Sequence, residues 1–154
     1  LRIDYFCKEM DQQPSKQYKY DKAYLRLAES WAQLSQCNRK KVGAIIVKDE
    51  IIISDGFNGT PAGFDNCCEN EEGLTHWYVL HAEANAILKV AKSTNNCREA
   101  TLYLTHSPCR DCSKLVLQSG IKRVVYKEAY KDPSGIDFLG NAGVEMVHIS
   151  QIDE

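Results

Sequence analysis

The stretch ATLYLTHSPCRDCSKLVLQSGIKRVVYKEAY, residues 100–130, predicts a strand, a helix and a second strand in succession. Its two ends are rich in β-branched and aromatic residues, which favour strands. Between them, Pro108 stands where a helix would begin and Gly120 supplies a C-terminal stop. Strands joined through a helix are normally parallel, with a right-handed crossover. This unit therefore places the chain in the α/β class.

The segments on either side extend this alternation of strands and helices. Residues 41–59 hold two apolar, β-branched runs separated by Asp49 and Glu50, which predicts an antiparallel hairpin. A helix is predicted from Asp21, as its N-cap, and an alanine-rich helix from His81. Near the C-terminus, SGIDFLGNAG predicts a short helix and VEMVHI a fifth strand. The order predicts a three-layer α/β/α sandwich around a mixed five-stranded sheet.

Composition indicates one globular domain and limits its partners. The 154 residues suit a single domain, which we expect at 21–154 after a polar N-terminal arm at 1–20. A net charge of −2 gives no general attraction to a nucleic acid polymer, although local charges could still bind a small anion. No apolar run approaches the roughly 20 residues of a membrane span. We therefore expect a soluble, cytoplasmic protein that does not bind membranes.

The Cys-x-x-Cys pair formed by Cys109 and Cys112 is the first candidate for chemistry. The chain has 7 cysteines and we expect no secretory signal, so metal binding or catalysis is favoured over a disulfide framework. Both thiols lie in the first turn of a predicted helix, whose N-terminus favours thiolates. A redox pair or a purely structural zinc site would also fit this spacing.

His81, which begins the motif HAE, is the best-placed further ligand. Three protein ligands and one water make an open catalytic zinc site, in which the pKa of the water falls toward about 7. Glu83 could then carry the proton, provided that His81 stands at the very start of its helix. A noncatalytic zinc site would leave Glu83 without a role.

Together, HAE and PCRDC fit the His-x-Glu and Pro-Cys-x-x-Cys signature of the zinc nucleobase deaminases. The segments VGAIIV, GFNGTPAG, HAEANAIL, LYLTHSPCRDCSKLVLQSGIKRVVY and NAGVEM resemble the deoxycytidylate (dCMP) deaminases, in that order, over about residues 21–147. The resemblance implies hydrolysis of dCMP to dUMP and ammonia, which supplies dUMP for thymidylate synthesis. Another zinc deaminase, of free cytidine or deoxycytidine, tRNA adenosine or a pterin-like ring, is the alternative. A second alternative is a noncatalytic module that binds nucleotides.

The resemblance also implies roles for individual residues. Zn²⁺ would be bound by His81, Cys109 and Cys112, with Glu83 as the catalytic proton carrier. Substrate contacts would come from the side chain of Asn58, at the sugar, and from the backbone of Ala82 and Ser107, at the base. Asn58, Gly59 and Gly63 would also suit an ordinary tight turn.

Further expectations follow from family members that carry a structural zinc or respond to nucleotides. A second zinc bound by Cys37, Cys67, Cys68 and His76 is one interpretation of these residues, and free cysteines are the other. Regulation by dCTP and dTTP, with Mg²⁺, would use a loop that contains Asn58, Gly59, Thr60 and Gly63. The family is typically oligomeric, often hexameric. Basic residues that could bind a phosphate, or simply face solvent, are Arg39, Lys40, Lys41 and Lys131.

Overall fold

The computed structural model describes residues 14–152, which form four helices and one five-stranded sheet. Of the predicted N-terminal arm, residues 1–13 lie outside the described residues. The elements, in chain order, are α1 (Lys16–Ala32), β1 (Gly43–Lys48), β2 (Ile51–Phe57), α2 (Ala82–Ala91), β3 (Thr101–His106), α3 (Arg110–Gln118), β4 (Arg123–Glu128), α4 (Ser134–Asn141) and β5 (Glu145–His148).

The sheet is mixed, with the strand order β2-β1-β3-β4-β5. β1 pairs antiparallel with both β2 and β3, and the hairpin register shifts between Ile46 and Val47. The β3-β4 and β4-β5 pairs are parallel, as expected for strands connected through α3 and α4. The predicted fold class and the predicted hairpin are confirmed.

Helices cover both faces of the sheet because the strands alternate two sets of buried residues. On one face, Leu25 and Ala28 of α1 pack with Ile45, Tyr103 and Val125. On the other face, α2, α3 and α4 pack against the neighbouring positions of the same strands; residues of this second cluster include Ala44, Ile46, Ala86, Leu102, Leu104, Val116, Val124 and Leu139. The result is the predicted three-layer arrangement.

The first helix begins earlier than predicted. Its N-cap is Ser15, whose Oγ accepts a hydrogen bond from the Tyr18 backbone N–H at 3.1 Å, and not Asp21. Asp21 lies inside α1, where its carboxylate accepts two bonds from Arg123, at 2.8 and 2.7 Å, and one from the Tyr103 hydroxyl at 2.8 Å. An aspartate suits either an N-cap or a buried ion pair, and the sequence alone does not separate the two.

Within the described part of the chain, no helix combines the length and the apolar character that a membrane crossing requires.

Candidate active site

The two predicted ligand motifs meet where α2 and α3 begin. His81 is the N-cap of α2 and Cys109 is the N-cap of α3. The His81 Nδ1 lies 3.5 Å from the Cys109 Sγ and 3.4 Å from the Cys112 Sγ. With a carboxylate oxygen of Glu83, these ligand atoms all lie within 4.8 Å of one another. No other group of this kind is found among residues 14–152.

The spacing of these atoms fits a zinc ion. Usual Zn–N and Zn–S bond lengths and tetrahedral angles separate a nitrogen ligand from a sulfur ligand by about 3.5 Å. Hydrogen bonding from Cys112, opposed by burial, holds the pKa of the Cys109 thiol at about 4, with a further contribution from His81. Two sulfurs and one imidazole nitrogen around one point, with an acid beside them, are the donor set of an open zinc site.

Glu83 lies in the first turn of α2, directly after the N-cap position of His81. Because His81 stands at the very start of the helix, the side chains of His81 and Glu83 can both approach the same point. Glu83 is buried, with 4% of its surface exposed. Burial, as the main cause, raises the pKa of its carboxyl. A raised pKa means that this carboxyl holds a proton more readily than an exposed one, which suits a proton carrier.

Two glycines allow these helix starts to pack closely. At Gly56 in β2, a Cβ would overlap the Ala82 carbonyl and lie 2.7 Å from the Ala86 nitrogen, so α2 can cross the strand only over a glycine. At Gly135 in α4, a Cβ would overlap the Pro108 carbonyl and lie 2.7 Å from the Ser113 Oγ. The first turns of α2 and α3 are therefore each held against a neighbouring element.

A cavity of about 270 Å³ opens beside the metal cluster. The predicted residues Asn58, Ala82 and Ser107 line it together with His81 and Glu83. Arg39 and Lys40, two of the basic residues considered for phosphate binding, also line it. No role was predicted for several further residues of its wall, which are Glu69, Thr75, Val79, His106 and Tyr130.

Asn58 and Ser107 already have protein partners in this wall. The Asn58 Oδ1 accepts from the Val42 backbone N–H at 2.8 Å, and its Nδ2 donates to the Lys40 carbonyl at 2.8 Å. The Ser107 Oγ accepts from the Tyr130 backbone N–H at 2.9 Å. Both side chains thus hold the cavity wall in place, in addition to any contact that they make with a ligand.

His106 ends β3 and is mostly buried in the cavity wall. Its Nε2 lies 2.9 Å from a carboxylate oxygen of Glu128. Burial, followed by the nearby Lys40 ammonium, lowers the pKa of His106 despite this carboxylate. Its place at the carboxyl end of a parallel strand, where α/β proteins bind ligands, was the signal that could have identified it.

The loop at residues 58–63 runs beside the ligand cluster. Gly59 forms an antiparallel bridge with Leu80, the residue before His81, through hydrogen bonds of 3.0 and 2.9 Å. The Thr60 hydroxyl donates to the Asp65 carbonyl at 2.9 Å, and Gly63 has a φ of +88°. The loop is irregular, as predicted, and its first residues are tied to the chain at the metal cluster.

The four residues considered for a second zinc do not form one ligand set. Cys37 and Cys68 form a disulfide, so these two residues are neither zinc ligands nor free cysteines, the two interpretations that the sequence left open. Cys67 is exposed, its Sγ donating to the Glu69 carbonyl, and the His76 ring stacks on Tyr78. Two disulfide-bonded sulfurs are not thiolates and cannot bind zinc as such.

Residues 18–128 match the family model described as the cytidine and deoxycytidylate deaminase zinc-binding region. The chain belongs to this deaminase family. The deoxycytidylate deaminase of Enterobacteria phage T4 is 36% identical over 168 residues, covering 81% of this chain and 87% of the relative. The deoxycytidylate deaminase of Saccharomyces cerevisiae is 33% identical, covering 96% of this chain and 50% of the relative.

Among solved structures, this deaminase chain is similar to the dCMP deaminase of the cyanophage S-TIM5 in complex with dCMP and dUMP. The TM-score is 0.83 at 47% sequence identity, covering 89% of this chain and 100% of that one. The predicted family is confirmed by this set of matches, and the fold agrees with the one predicted from the sequence.

Proposed function

We propose that this chain hydrolyses dCMP to dUMP and ammonia. The observation that carries the proposal is the cluster of His81, Glu83, Cys109 and Cys112 beside a cavity whose wall also bears Arg39 and Lys40. The cluster suits deamination of a ring, and the two cations suit a substrate with a phosphate. The solved relative that binds dCMP and dUMP supports the same substrate.

His81, Cys109 and Cys112 are the residues that would hold zinc. When bound there, zinc lowers the pKa of a water toward about 7, so that hydroxide is available at neutral pH. Glu83 takes one proton from the attacking water and passes it to the ring nitrogen. It then takes the second proton from the oxygen now bonded to the ring carbon and delivers it to the leaving amino group. Water supplies the oxygen of dUMP, and the amino group leaves as ammonia.

The nucleotide would be oriented by the cavity wall. Ala82 directly precedes Glu83, and Ser107 lies two residues before Cys109. Both line the cavity, so their backbone would contact the edge of the base beside the cluster. The fixed amide of Asn58 offers a polar surface for the sugar, since Nδ2 has a second hydrogen beyond its bond to Lys40. Arg39 and Lys40 would bind the 5′-phosphate.

Regulation by dCTP and dTTP, with Mg²⁺, through the loop that contains Asn58, Gly59, Thr60 and Gly63, is a further proposal. The bridge from Gly59 to Leu80 supports it. Because Leu80 directly precedes His81, a shift of the loop would also displace His81. A homo-oligomer, for example a hexamer, would allow cooperative rates. A dCTP titration that leaves both rate and cooperativity unchanged contradicts this proposal.

Ammonia release from a panel of substrates tests the function. The panel contains dCMP, deoxycytidine, a tRNA with a target adenosine, and a pterin-like aminated ring. We expect kcat/KM for dCMP to exceed that for deoxycytidine by about tenfold or more, because deoxycytidine has no phosphate and cannot make the charged contacts. Turnover of another ring but not of dCMP would support the alternative deaminases, and no turnover by the zinc-loaded protein would support a binding module.

A further inference from the structure

The segment at residues 37–42, CNRKKV, carries Arg39 and Lys40 to the cavity. It connects α1 to β1 and has no regular secondary structure. A segment outside helices and strands keeps a fixed course only through other contacts. The direction of its two cationic side chains therefore depends on the residues that hold its backbone.

Asn58 holds the C-terminal half of this segment. Its side-chain amide bonds the Val42 N–H and the Lys40 carbonyl, both at 2.8 Å, and its backbone N–H donates to the Val42 carbonyl at 3.2 Å. Lys40 is thus fixed relative to β2, the strand that precedes Asn58.

Glu69 holds the N-terminal half. Its Oε1 accepts from the backbone N–H groups of Asn38 and Arg39, at 3.0 and 3.1 Å, and its Oε2 accepts from the Asn38 side-chain amide at 3.4 Å. Glu69 is buried, and the Cys37–Cys68 disulfide joins the same two segments one residue away. A carboxylate that receives several donors is a strong anchor.

The two cations are left available by this arrangement. Neither Arg39 nor Lys40 takes part in an ion pair within the described part of the chain. Arg39 donates to the Thr75 hydroxyl at 3.4 Å, and the Lys40 Nζ lies 4.9 Å from the centre of the Tyr130 ring. Because Glu69 accepts from peptide N–H groups, it holds the segment without forming an ion pair with the guanidinium of Arg39.

We propose that Glu69 is a positioning residue for phosphate recognition. By holding the backbone at Asn38 and Arg39, it directs Arg39 and Lys40 into the cavity and so sets the preference for a 5′-phosphorylated substrate. This inference rests on the proposed deamination of dCMP. Glu69 lines the cavity but is not part of the cluster of His81, Glu83, Cys109 and Cys112.

The test compares Glu69→Ala with the unaltered protein on dCMP and on deoxycytidine, in the zinc-loaded form. We expect KM for dCMP to rise about tenfold with little change in kcat, because a small displacement of binding groups weakens binding strongly. For deoxycytidine, which has no phosphate, kcat/KM should stay within about twofold. Glu69→Gln keeps an acceptor oxygen at the same place. Its KM for dCMP should therefore rise by no more than half as much as that of Glu69→Ala.

Glu71→Ala is the matched control, because it removes an exposed carboxylate from the same loop and should leave both substrates unaffected. In an Arg39→Ala, Lys40→Ala background, Glu69→Ala should cause no further loss on dCMP. Equal loss on dCMP and deoxycytidine, a pure fall in kcat, or no change at all would overturn the proposal. If the unaltered protein shows no preference for dCMP, the proposed function fails before any variant is compared.

Discussion

The Nδ1 of His81 and the Sγ of Cys109 lie 3.5 Å apart, although 28 positions separate the two residues in the chain. Each is the N-cap of its own helix, and neither side chain makes the usual capping bond. In the chain, α2 precedes β3 and α3 follows β3. Both helices pack on the same face of the sheet, and this packing brings their first residues together. The candidate site thus follows from the order of the elements.

Loss of one zinc ligand should remove the metal. Cys109→Ser replaces a thiolate ligand by a hydroxyl of high pKa, so we expect zinc content to fall from about one per chain to below about 0.2 after dialysis against a weak chelator. Deamination should fall in parallel. Metal analysis by mass spectrometry is the measurement, with Cys97→Ser as the control, since Cys97 is not part of the cluster. Full zinc retention in Cys109→Ser would contradict the assignment.

Gly56→Ala should weaken the site through the backbone. The added methyl group would overlap the first turn of α2, which costs about 1–3 kcal/mol of unfolding free energy. Denaturant unfolding and zinc content measure the effect. Gly140→Ala is the matched control, because nothing lies within 4 Å of its Cβ position in α4 and alanine favours a helix, so stability should rise slightly. Equal effects of the two substitutions would be evidence against the close packing of α2 on β2.

Asp21→Asn should destabilise the fold. The side chains of Asp21 and Arg123 are 3% and 16% exposed, and removing one partner of a buried ion pair costs about 3–5 kcal/mol. Urea unfolding at pH 7 measures the loss. Asp65→Asn, at an exposed aspartate, should change stability by less than about 0.5 kcal/mol.

The contribution of Asp21 should also depend on pH. Burial alone would raise the pKa of this carboxyl, but hydrogen bonds from Arg123, Gln17 and Tyr103 outweigh burial and hold the pKa below its usual value. A depressed folded-state pKa gives stability that is complete above the unfolded value of about 3.9 and is lost as the pH falls through the folded value. The stability difference between the native protein and Asp21→Asn should therefore shrink below about pH 4. A difference that grows in acid would contradict this account.

The Cys37–Cys68 disulfide should be detectable as a linked peptide pair by mass spectrometry without reductant. It closes a loop with a sequence separation of 31, and breaking it should cost about 2–4 kcal/mol of unfolding free energy. Cys67→Ser, next to it in the chain, should preserve the linked pair. A second zinc per chain, lost in Cys37→Ser, would instead favour the metal site that the sequence analysis considered.

The fold and the metal cluster could be predicted because their signals are local. Strand and helix patterns alternate clearly along the chain, and HAE and PCRDC each begin a helix. Glu69 could not be predicted, since its segment has no periodicity and its role depends on contact with Asn38, 31 positions earlier. The disulfide was not predicted for a similar reason. Cys67 and Cys68 are adjacent in the chain, and only the folded structure shows that Cys68 is the partner of Cys37.

We propose that Glu83 carries the proton in a zinc-dependent hydrolysis of dCMP. The most direct measurement is the initial rate of ammonia release from dCMP for the native protein and for Glu83→Gln, with zinc content determined on the same samples. We expect kcat to fall about 10²–10⁴-fold in Glu83→Gln, with zinc retained. A zinc-loaded Glu83→Gln protein that deaminates dCMP at close to the native rate would contradict it.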